Sequence, residues 1–263
     1  RFPHGAAFGP DGKVYVCNNG GCFTWTEVLG LTFPGHLPDA WRGGSIQRVD
    51  IDTGAVETLY TTSIAADGTE VPLRAPNDIV FDADGGFWFS DHGVRAHRAS
   101  DRTALHYALP DGTSCREAVF PVDAPNGIGL SPDGTSLYAA ETHTGRLWRW
   151  PLAGPGQIDR TAGNPLGPDG GHLMVGLDGY QLFDSLGVDG DGWVSVATLA
   201  VGAITSVSPD GSQIEQVSFD DPLVTNICFG GADRRTAFVT LSGTGRLVSL
   251  PWSRPGLALP FVR

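Results

Sequence analysis

The chain of 263 residues has few basic residues and no long hydrophobic segment. No apolar run approaches the roughly 18–20 residues that a membrane-spanning helix needs, so we expect no membrane-embedded part. Lysine and arginine number 17 against 29 aspartates and glutamates, which gives a net charge of −12. Because nucleic acids and anionic membrane surfaces attract basic patches, neither is expected as a partner.

Cysteine is also scarce. Four cysteines are too few and too scattered for a disulfide scaffold of this size: Cys17, Cys22, Cys115 and Cys228. Cys17 and Cys22 could form a bridge or bind a metal, but they are not a C-x-x-C pair. The favoured interpretation is reduced thiols, and the first five residues contain no secretory hydrophobic segment. We therefore expect a cytoplasmic protein.

Glycine and proline are abundant, at 37 and 19 residues, and 41% of the chain is hydrophobic. Disorder is not expected at that apolar content. No segment has the pattern of a long amphipathic helix. This composition is typical of an ordered chain of many short strands joined by tight turns.

Five segments of the chain follow one pattern. Each has a polar residue near its start, an alternating strand, a turn and a second strand, and the turn is Asp-Gly in the first four. The segments read PHGAAFGPDGKVYV, PNDIVFDADGGFWFS, PNGIGLSPDGTSLYAA, FDSLGVDGDGWVSVA and TNICFGGADRRTAFVT. A second hairpin follows most of them. Four strands in roughly 50 residues predict the blades of a single all-β propeller over residues 1–263; a β-sandwich would not predict the recurring polar residue.

The polar residues of these repeats are His4, Asn77, Asn126, Asp184 and Asn226. In a propeller the innermost strands all begin at one face, so these residues should surround one mouth of the central channel. The segments that follow the second strands should line the same mouth, including Asn19, Asp91-His92 and Glu141-Thr142-His143. Residues 20–43, with Trp25, Phe33 and Trp41, form a long connection there that we interpret as a lid.

Amide and carboxylate oxygens that converge on one axis are hard ligands, suited to Ca²⁺ or Mg²⁺ and less exclusively to Mn²⁺. The alternative is that each residue only caps its own strand, since Asn and Asp favour turns. Their equivalent positions in repeat after repeat favour metal or ligand binding. The aspartates of the opposite turns have a structural interpretation: Asp11, Asp84, Asp133, Asp191 and Asp210.

Four of the segments, read in order from PNDIVFDADGGFWFSD to TNICFGGADRRTAFVT, resemble successive repeats of the senescence-marker-protein/gluconolactonase family. This family also includes luciferin-regenerating enzyme and, more distantly, diisopropylfluorophosphatase. The resemblance implies a six-bladed propeller with one divalent metal in its channel, usually Ca²⁺ or Zn²⁺, and lactone hydrolysis. It also implies that Asn77 lines the metal site and that Asn126 and Asp184 are ligands. We expect Ca²⁺ ahead of Zn²⁺, Mg²⁺ or Mn²⁺ at these three residues.

The chain departs from the family pattern at its start. The family's remaining ligand is a Glu in an E-G-P-like motif, whereas this chain has F-P-H-G with His4 in that place. The residues that follow resemble the second repeat of the family, and five repeats are visible where six are expected. We therefore expect the first blade to be absent from this chain; a five-bladed ring or a His4 ligand is the alternative.

These observations predict a metal-dependent hydrolase of small lactones or related cyclic esters. The metal would polarise the carbonyl, and a carboxylate would take a proton from water: Asp184, Asp78, Glu141 or Asp91. Asn19, His92, His143 and Trp25 are the expected substrate-binding residues, and the two histidines are alternative bases. No G-x-S-x-G motif indicates a covalent mechanism. The alternatives are phosphoester or phosphofluoridate hydrolysis, or a non-catalytic propeller that binds a small ligand or protein.

Overall fold

A computed structural model describes residues 3–96 and 98–262, with only the backbone described at Pro3. Over these residues the chain is an all-β propeller of five blades. No helix among them has the length and apolar character to cross a membrane. The five repeats correspond to the five blades, which confirms the propeller; a sixth blade remains an expectation from the resemblance.

The first blade contains the most N-terminal strands. In chain order the strands are β1 (Pro3–Phe8), β2 (Val14–Asn18), β3 (Trp25–Val28), β4 (Leu31–Pro34), β5 (Ser45–Val49) and β6 (Val56–Tyr60). Strands β1, β2, β5 and β6 pair in that order as the blade, with β1 innermost. Strands β3 and β4 form a separate hairpin within residues 20–43.

The second blade is the widest. Its region contains β7 (Thr62–Ile64), β8 (Glu70–Pro72), β9 (Pro76–Phe81), β10 (Phe87–Asp91), β11 (Arg95–Ala96), β12 (Ala99–Ser100), β13 (Thr103–Ala108) and β14 (Cys115–Val122). The sheet order is β8-β7-β14-β13-β10-β9, so β9 is innermost and the β7–β8 hairpin lies at the outer edge. Strands β11 and β12 pair only with each other.

The third blade contains β15 (Pro125–Leu130), β16 (Ser136–Glu141), β17 (Arg146–Gly154), β18 (Gln157–Ile158), a 3₁₀ turn (Pro168–Gly170) and β19 (His172–Gly176). The fourth contains β20 (Leu182–Val188), β21 (Val194–Leu199), β22 (Ala203–Val207) and β23 (Ile214–Ser218). The fifth has three strands, β24 (Val224–Gly230), β25 (Thr236–Leu241) and β26 (Arg246–Pro251), and thus one fewer than expected.

Tight turns join the two inner strands of each blade. The glycines of the four Asp-Gly turns have φ between 69° and 91°, a conformation that favours glycine. Aspartate side chains also close these turns: Asp133 Oδ1, for example, accepts from the backbone N–H of Thr135 at 3.1 Å. These contacts agree with the structural role expected for Asp133.

The core lies between neighbouring blades. Trp88 and Leu105 of the second blade pack with Leu137 and Trp150 of the third, and all four are fully buried. Such contacts repeat around the ring, so each blade buries its faces only against its neighbours. Among the described residues all four cysteines are free, which agrees with reduced thiols.

Two segments outside the blades form contacts between distant parts of the chain. On the mouth side, the β3–β4 hairpin reaches the fifth blade, where the N–H of Thr32 donates to the carbonyl of Gly243 at 2.9 Å. At the opposite end, the C-terminal segment passes under the fourth blade, where the N–H of Leu257 donates to Val188 at 3.1 Å. It ends with Phe261 packed edge-on against Phe81, with ring centroids 5.9 Å apart.

Candidate metal and substrate site

A β-bulge at the start of each innermost strand builds the site. In β9, Pro76 pairs with Asp91 and Ile79 pairs with Phe89, so residues 77 and 78 together oppose the single residue 90. The strands β15 and β20 have the same bulge. Asn77, Asn126 and Asp184 therefore occupy the first bulge position of three consecutive blades, as the repeat pattern predicts.

In the fifth blade the strand register is shifted by one residue from the alignment of the repeats by sequence. In β24, Val224 pairs with Leu241 and Ile227 pairs with Val239, so the residue equivalent to Asn77 is Thr225. Asn226 occupies the second bulge position, equivalent to Asp78. The placement of Asn226 with the other repeat-start residues was thus wrong. Thr225-Asn226 and Asn77-Asp78 are both pairs of polar residues, so the sequence alone does not show which member of each pair occupies the first bulge position.

Asn126 links the second, third and fourth blades. Its Nδ2 donates to Thr142 Oγ1 at 3.2 Å, and Ser185 Oγ donates to its Oδ1 at 3.4 Å. Its backbone carbonyl accepts from the hydroxyl of Ser90. The amide of Asn126 thus contacts Thr142 through Nδ2 and Ser185, the neighbour of Asp184, through Oδ1.

Asp78 lies where three blades meet. Its Oδ1 accepts from the N–H of Ile79 at 2.9 Å, and its Oδ2 accepts from the N–H of Ile128 in the next blade at 3.4 Å. On its other side lies Gly5 of the first blade. Gly5, the equivalent position in the first blade, leaves room for this carboxylate, and Gly127, the equivalent position in the third blade, lies against the backbone of residues 184–186.

The carboxylates of Asp78 and Asp184 carry shifted pKa values. Burial, together with the charge of Asp78, raises the pKa of Asp184 to about 7, against the opposing hydrogen bonds of the Asn126 side chain and the Ser185 backbone. Burial also raises the pKa of Asp78 to about 7, against the opposing effect of the backbone N–H groups. Neither carboxylate forms a salt bridge with a lysine or arginine in the part of the chain that the structure describes.

These donors fit a hard dication. Within residues 3–96 and 98–262, no group of three His, Cys, Asp or Glu residues is arranged to hold a metal. The candidate set is instead one carboxylate with two amides, next to a second carboxylate, and such oxygen donors suit Ca²⁺. Two acidic groups without a cationic partner also favour a bound cation, because it would offset their burial and mutual repulsion.

Two further acidic residues hold the rim of the mouth. Asp91 accepts from the backbone N–H groups of Arg74, Ala75 and Gly93, at 2.7, 2.7 and 3.0 Å. Glu141 accepts from the N–H of Asp123 at 3.0 Å and from the hydroxyl of Thr144 at 2.5 Å. Each is paired with the proline that begins the adjacent innermost strand. Sequence reasoning missed this shared anchoring role, although their equivalent place at the end of the second strand signals it.

The rim histidines form two groups. His92 and His143 lie edge-to-face with ring centroids 5.5 Å apart, and burial lowers the pKa of each to about 4. His4 Nε2 lies 2.6 Å from Nδ2 of Asn19. His92 and His143 are therefore neutral at pH 7 and can donate or accept hydrogen bonds without bringing positive charge to the mouth.

Residues 20–43 lie along this rim. Trp41 Nε1 donates to the carbonyl of Asn19 at 3.0 Å, and the guanidinium of Arg74 lies 4.5 Å from the Trp41 ring. Trp25, at the start of β3, is half exposed and lies next to Phe23, with ring centroids 6.4 Å apart. The segment thus spans from the second blade to the fifth on the mouth side, where a lid would have to lie.

A model of the SMP-30/Gluconolactonase/LRE-like region matches residues 2–243 of the chain. Among curated proteins, Lactonase drp35 of Staphylococcus saprophyticus is 28% identical over 207 residues, covering 79% of this chain and 53% of that protein. Lactonase drp35 of Staphylococcus epidermidis is 29% identical over 213 residues, with the same coverage. The chain thus spans about half the length of the curated relatives it matches.

Solved structures share the fold. A gluconolactonase from Xanthomonas campestris superposes with a TM-score of 0.68 at 22% identity, covering 97% of this chain and 72% of that one. Regucalcin from Agrobacterium tumefaciens, a calcium-binding protein, also gives a TM-score of 0.68, at 20% identity, covering 100% and 94% of the two chains. At these identities the likeness shows the propeller fold.

Proposed function

Because the chain belongs to the SMP-30/gluconolactonase/LRE-like family, we propose that it is a metal-dependent hydrolase of small lactones or related cyclic esters. The observation that carries this proposal is the placement of Asn77, Asn126 and Asp184 in equivalent bulges of neighbouring blades. Asp78 lies beside them, and neither carboxylate has a cationic partner among the described residues. The lactonase relatives support the reaction class, and the calcium-binding neighbour supports the choice of cation.

In this proposal Asn77, Asn126 and Asp184 would hold one divalent metal. Ca²⁺ is the favoured ion because the donors are all oxygens; Zn²⁺ prefers nitrogen and sulfur ligands, and Mg²⁺ demands stricter geometry. A dication bound there would polarise a lactone carbonyl and stabilise the negative charge that develops on its oxygen.

The proton of the attacking water needs a nearby base. Asp184 and Asp78 are the favoured candidates, because both carboxylates are buried close together beside Asn126; Asp78 is not itself one of the proposed ligands, and so it is the more basic of the two once a metal is bound. Glu141 is a weaker candidate than sequence reasoning suggested, since it lies on the rim at the end of β16, where its carboxylate holds Asp123 and Thr144.

The substrate would enter from the mouth. His92, His143 and Asn19 offer neutral hydrogen-bonding groups to hydroxyl or carbonyl oxygens of a sugar-like lactone. Trp25, on the hairpin, offers an exposed ring that could cover the ligand. The neutral rim next to two carboxylates favours an uncharged substrate over an anionic one.

The test is hydrolysis of a panel of five- and six-membered sugar and aliphatic lactones by the purified chain. The assay is run with added Ca²⁺, with a chelator, and after Ca²⁺ is restored. We expect turnover that the chelator abolishes and Ca²⁺ restores. Turnover unaffected by the chelator would contradict metal dependence, and Ca²⁺ binding without turnover of any lactone would favour the non-catalytic alternative.

A further inference from the structure

A cavity of about 860 Å³ lies outside the central channel, against the outer part of the second blade. The β7–β8 hairpin forms one wall, β13 and β14 form another, and Arg160 and Asp169 of the third blade close one side. Asn77, Asn126 and Asp184 do not line it. The cavity reaches the rim residues Arg74 and Asp91, but none of the proposed metal ligands.

A buried imidazole faces the cavity. His106 is only 3% exposed; its ring stacks on Phe89 with centroids 4.7 Å apart, and its Nδ1 lies 2.9 Å from Ser63 Oγ. Burial lowers the pKa of His106 to about 3, so the ring is neutral. When Nδ1 carries the proton and donates to Ser63, Nε2 is an acceptor, and no described residue forms a hydrogen bond with it.

A carboxylate lies next to this imidazole. Glu117 of β14 is the direct register partner of His106 of β13, so the two side chains lie on the same face of the sheet, and both line the cavity. Glu117 has no hydrogen bond or salt bridge with the described residues. Burial raises its pKa, and the charges of Asp67 and Asp91 raise it further.

Most cations around the cavity are already paired. Arg74 Nε binds Asp101 at 2.7 Å, and Arg160 binds Asp169 through two hydrogen bonds of 2.8 and 2.7 Å. The remaining arginine of the lining, Arg102, is exposed to solvent. Asp91 is satisfied by backbone N–H groups, which leaves Glu117 as the half-buried anion without a counter-charge.

Part of the remaining lining is apolar. Ala104 and Ala118 are buried, and Phe120 and Val71 also line the space. An acceptor pair in a cavity with these apolar residues in its lining suits a ligand with a cationic donor and a short hydrocarbon part. A metal ion is not the expected occupant, because no described group of three His, Cys, Asp or Glu residues could hold one.

We propose that this cavity binds a small organic ammonium ion. The carboxylate of Glu117 accepts a charge-assisted hydrogen bond from the ammonium group, and Nε2 of His106 accepts a second. The hydrocarbon part of the ligand packs against Ala104, Ala118 and Phe120. The site is separate from the channel, so it does not depend on the proposed lactonase activity.

The test is isothermal titration of the whole chain with n-butylammonium chloride, with n-butanol and sodium butyrate as the neutral and anionic probes of the same length. We expect saturable binding of the ammonium, and weaker binding of both other probes. Glu117→Gln keeps the shape but removes the charge, and should weaken ammonium binding about tenfold, the usual value of a charge-assisted hydrogen bond. Asp52→Asn, on an exposed turn of the first blade, makes the same charge change and should bind as the wild type does.

Two further variants locate the ligand. Ala65→Leu narrows the cavity from the hairpin side without removing a charge and should weaken binding, whereas Asp184→Asn in the channel should leave it unchanged. Absence of saturable binding, equal binding of butanol, or unchanged binding in Glu117→Gln would each overturn the proposal. Loss of binding in Asp184→Asn instead of Glu117→Gln would place the ammonium in the channel and would equally overturn it.

Discussion

Gly5 and Asp78 occupy the same bulge position in the first and second blades, and the carboxylate of Asp78 fills the space beside Gly5. A Cβ built on Gly5 would lie 2.5 Å from Asp78 Oδ1 and 2.6 Å from Asp78 Cα. The bulge of the second blade, through its backbone as well as the Asp78 carboxylate, thus requires the absence of a side chain at Gly5. The geometry of the candidate site therefore depends on a residue with no functional group of its own.

Gly5→Ala should displace Asp78 and its backbone partners. Overpacking of this kind costs about 1–3 kcal/mol in the free energy of unfolding, and Ca²⁺ binding should weaken with it. Denaturant unfolding and calcium titration measure both effects. The matched control is Gly154→Ala, where a Cβ meets nothing within 4 Å; a Gly5→Ala protein as stable as this control would refute the proposed close packing.

His106 should make the protein sensitive to acid. Its pKa is about 3 in the folded chain and about 6.5 when unfolded, so the unfolded state binds more protons between these values. Its contribution to stability is therefore complete above pH 6.5 and is lost as the pH falls, by at most about 2 kcal/mol between pH 6.5 and 5.

His106→Asn retains a polar group near Ser63 but cannot be protonated. Urea unfolding from pH 7.5 to 5 should show a smaller loss of stability in this variant than in the wild type. His36→Asn, at an exposed histidine, is the control and should retain the wild-type pH dependence. Parallel curves for wild type and His106→Asn would contradict the assignment of a buried, neutral imidazole.

The C-terminal segment should stabilise the propeller at the end opposite the mouth. Phe261, near the C-terminal end of the chain, packs against Phe81 of the second blade. Phe261→Ala should cost about 2 kcal/mol, less than the 3–5 kcal/mol of a fully buried aromatic residue, with Ca²⁺ affinity unchanged because the site lies at the opposite end. Leu259→Ala, at a side chain 50% exposed, should cost much less. Equal melting temperatures of the two variants would argue against the role given to Phe261.

The hairpin of residues 25–34 should control access to the channel. Its base is closed by bonds between Thr24 and residues 35 and 36, so a short Gly-Gly link could replace it. We expect turnover of bulkier lactones to rise relative to small ones, with little change in melting temperature. If only the stability falls and the order of substrates is unchanged, the hairpin is a brace between the first and fifth blades and not a lid.

Much of this architecture could be predicted from sequence because the same pattern of strands and turns recurs in each repeat. Alternating strands and Asp-Gly turns define the blades, and the residue after each breaker marks the mouth. The fifth repeat failed because Thr225-Asn226 and Asn77-Asp78 are both polar pairs, and only strand register shows which member corresponds to which. The side cavity could not be predicted, since it depends on the pairing of His106 with Glu117 in neighbouring strands. No motif in the sequence of either strand indicates that pairing.

The anchoring roles of Asp91 and Glu141 show a second limit. Both residues are acidic and lie at the mouth, so sequence reasoning offers them as bases. Their carboxylates instead accept from backbone N–H groups that lead into the innermost strand of the same blade, and such contacts are visible only when the loops are folded.

The central claim is most directly tested by calcium titration of wild type and Asp184→Asn. This change keeps the shape and one oxygen donor but removes the charge. Coulomb attraction to a dication at a partly dehydrated site is worth several kcal/mol even at an effective dielectric near 20, so Asp184→Asn should lose Ca²⁺ at micromolar supply and lose lactone turnover with it. Asp133→Asn, at a turn on the opposite side of the ring, should retain both. Wild-type calcium affinity and turnover in Asp184→Asn would contradict the proposed site.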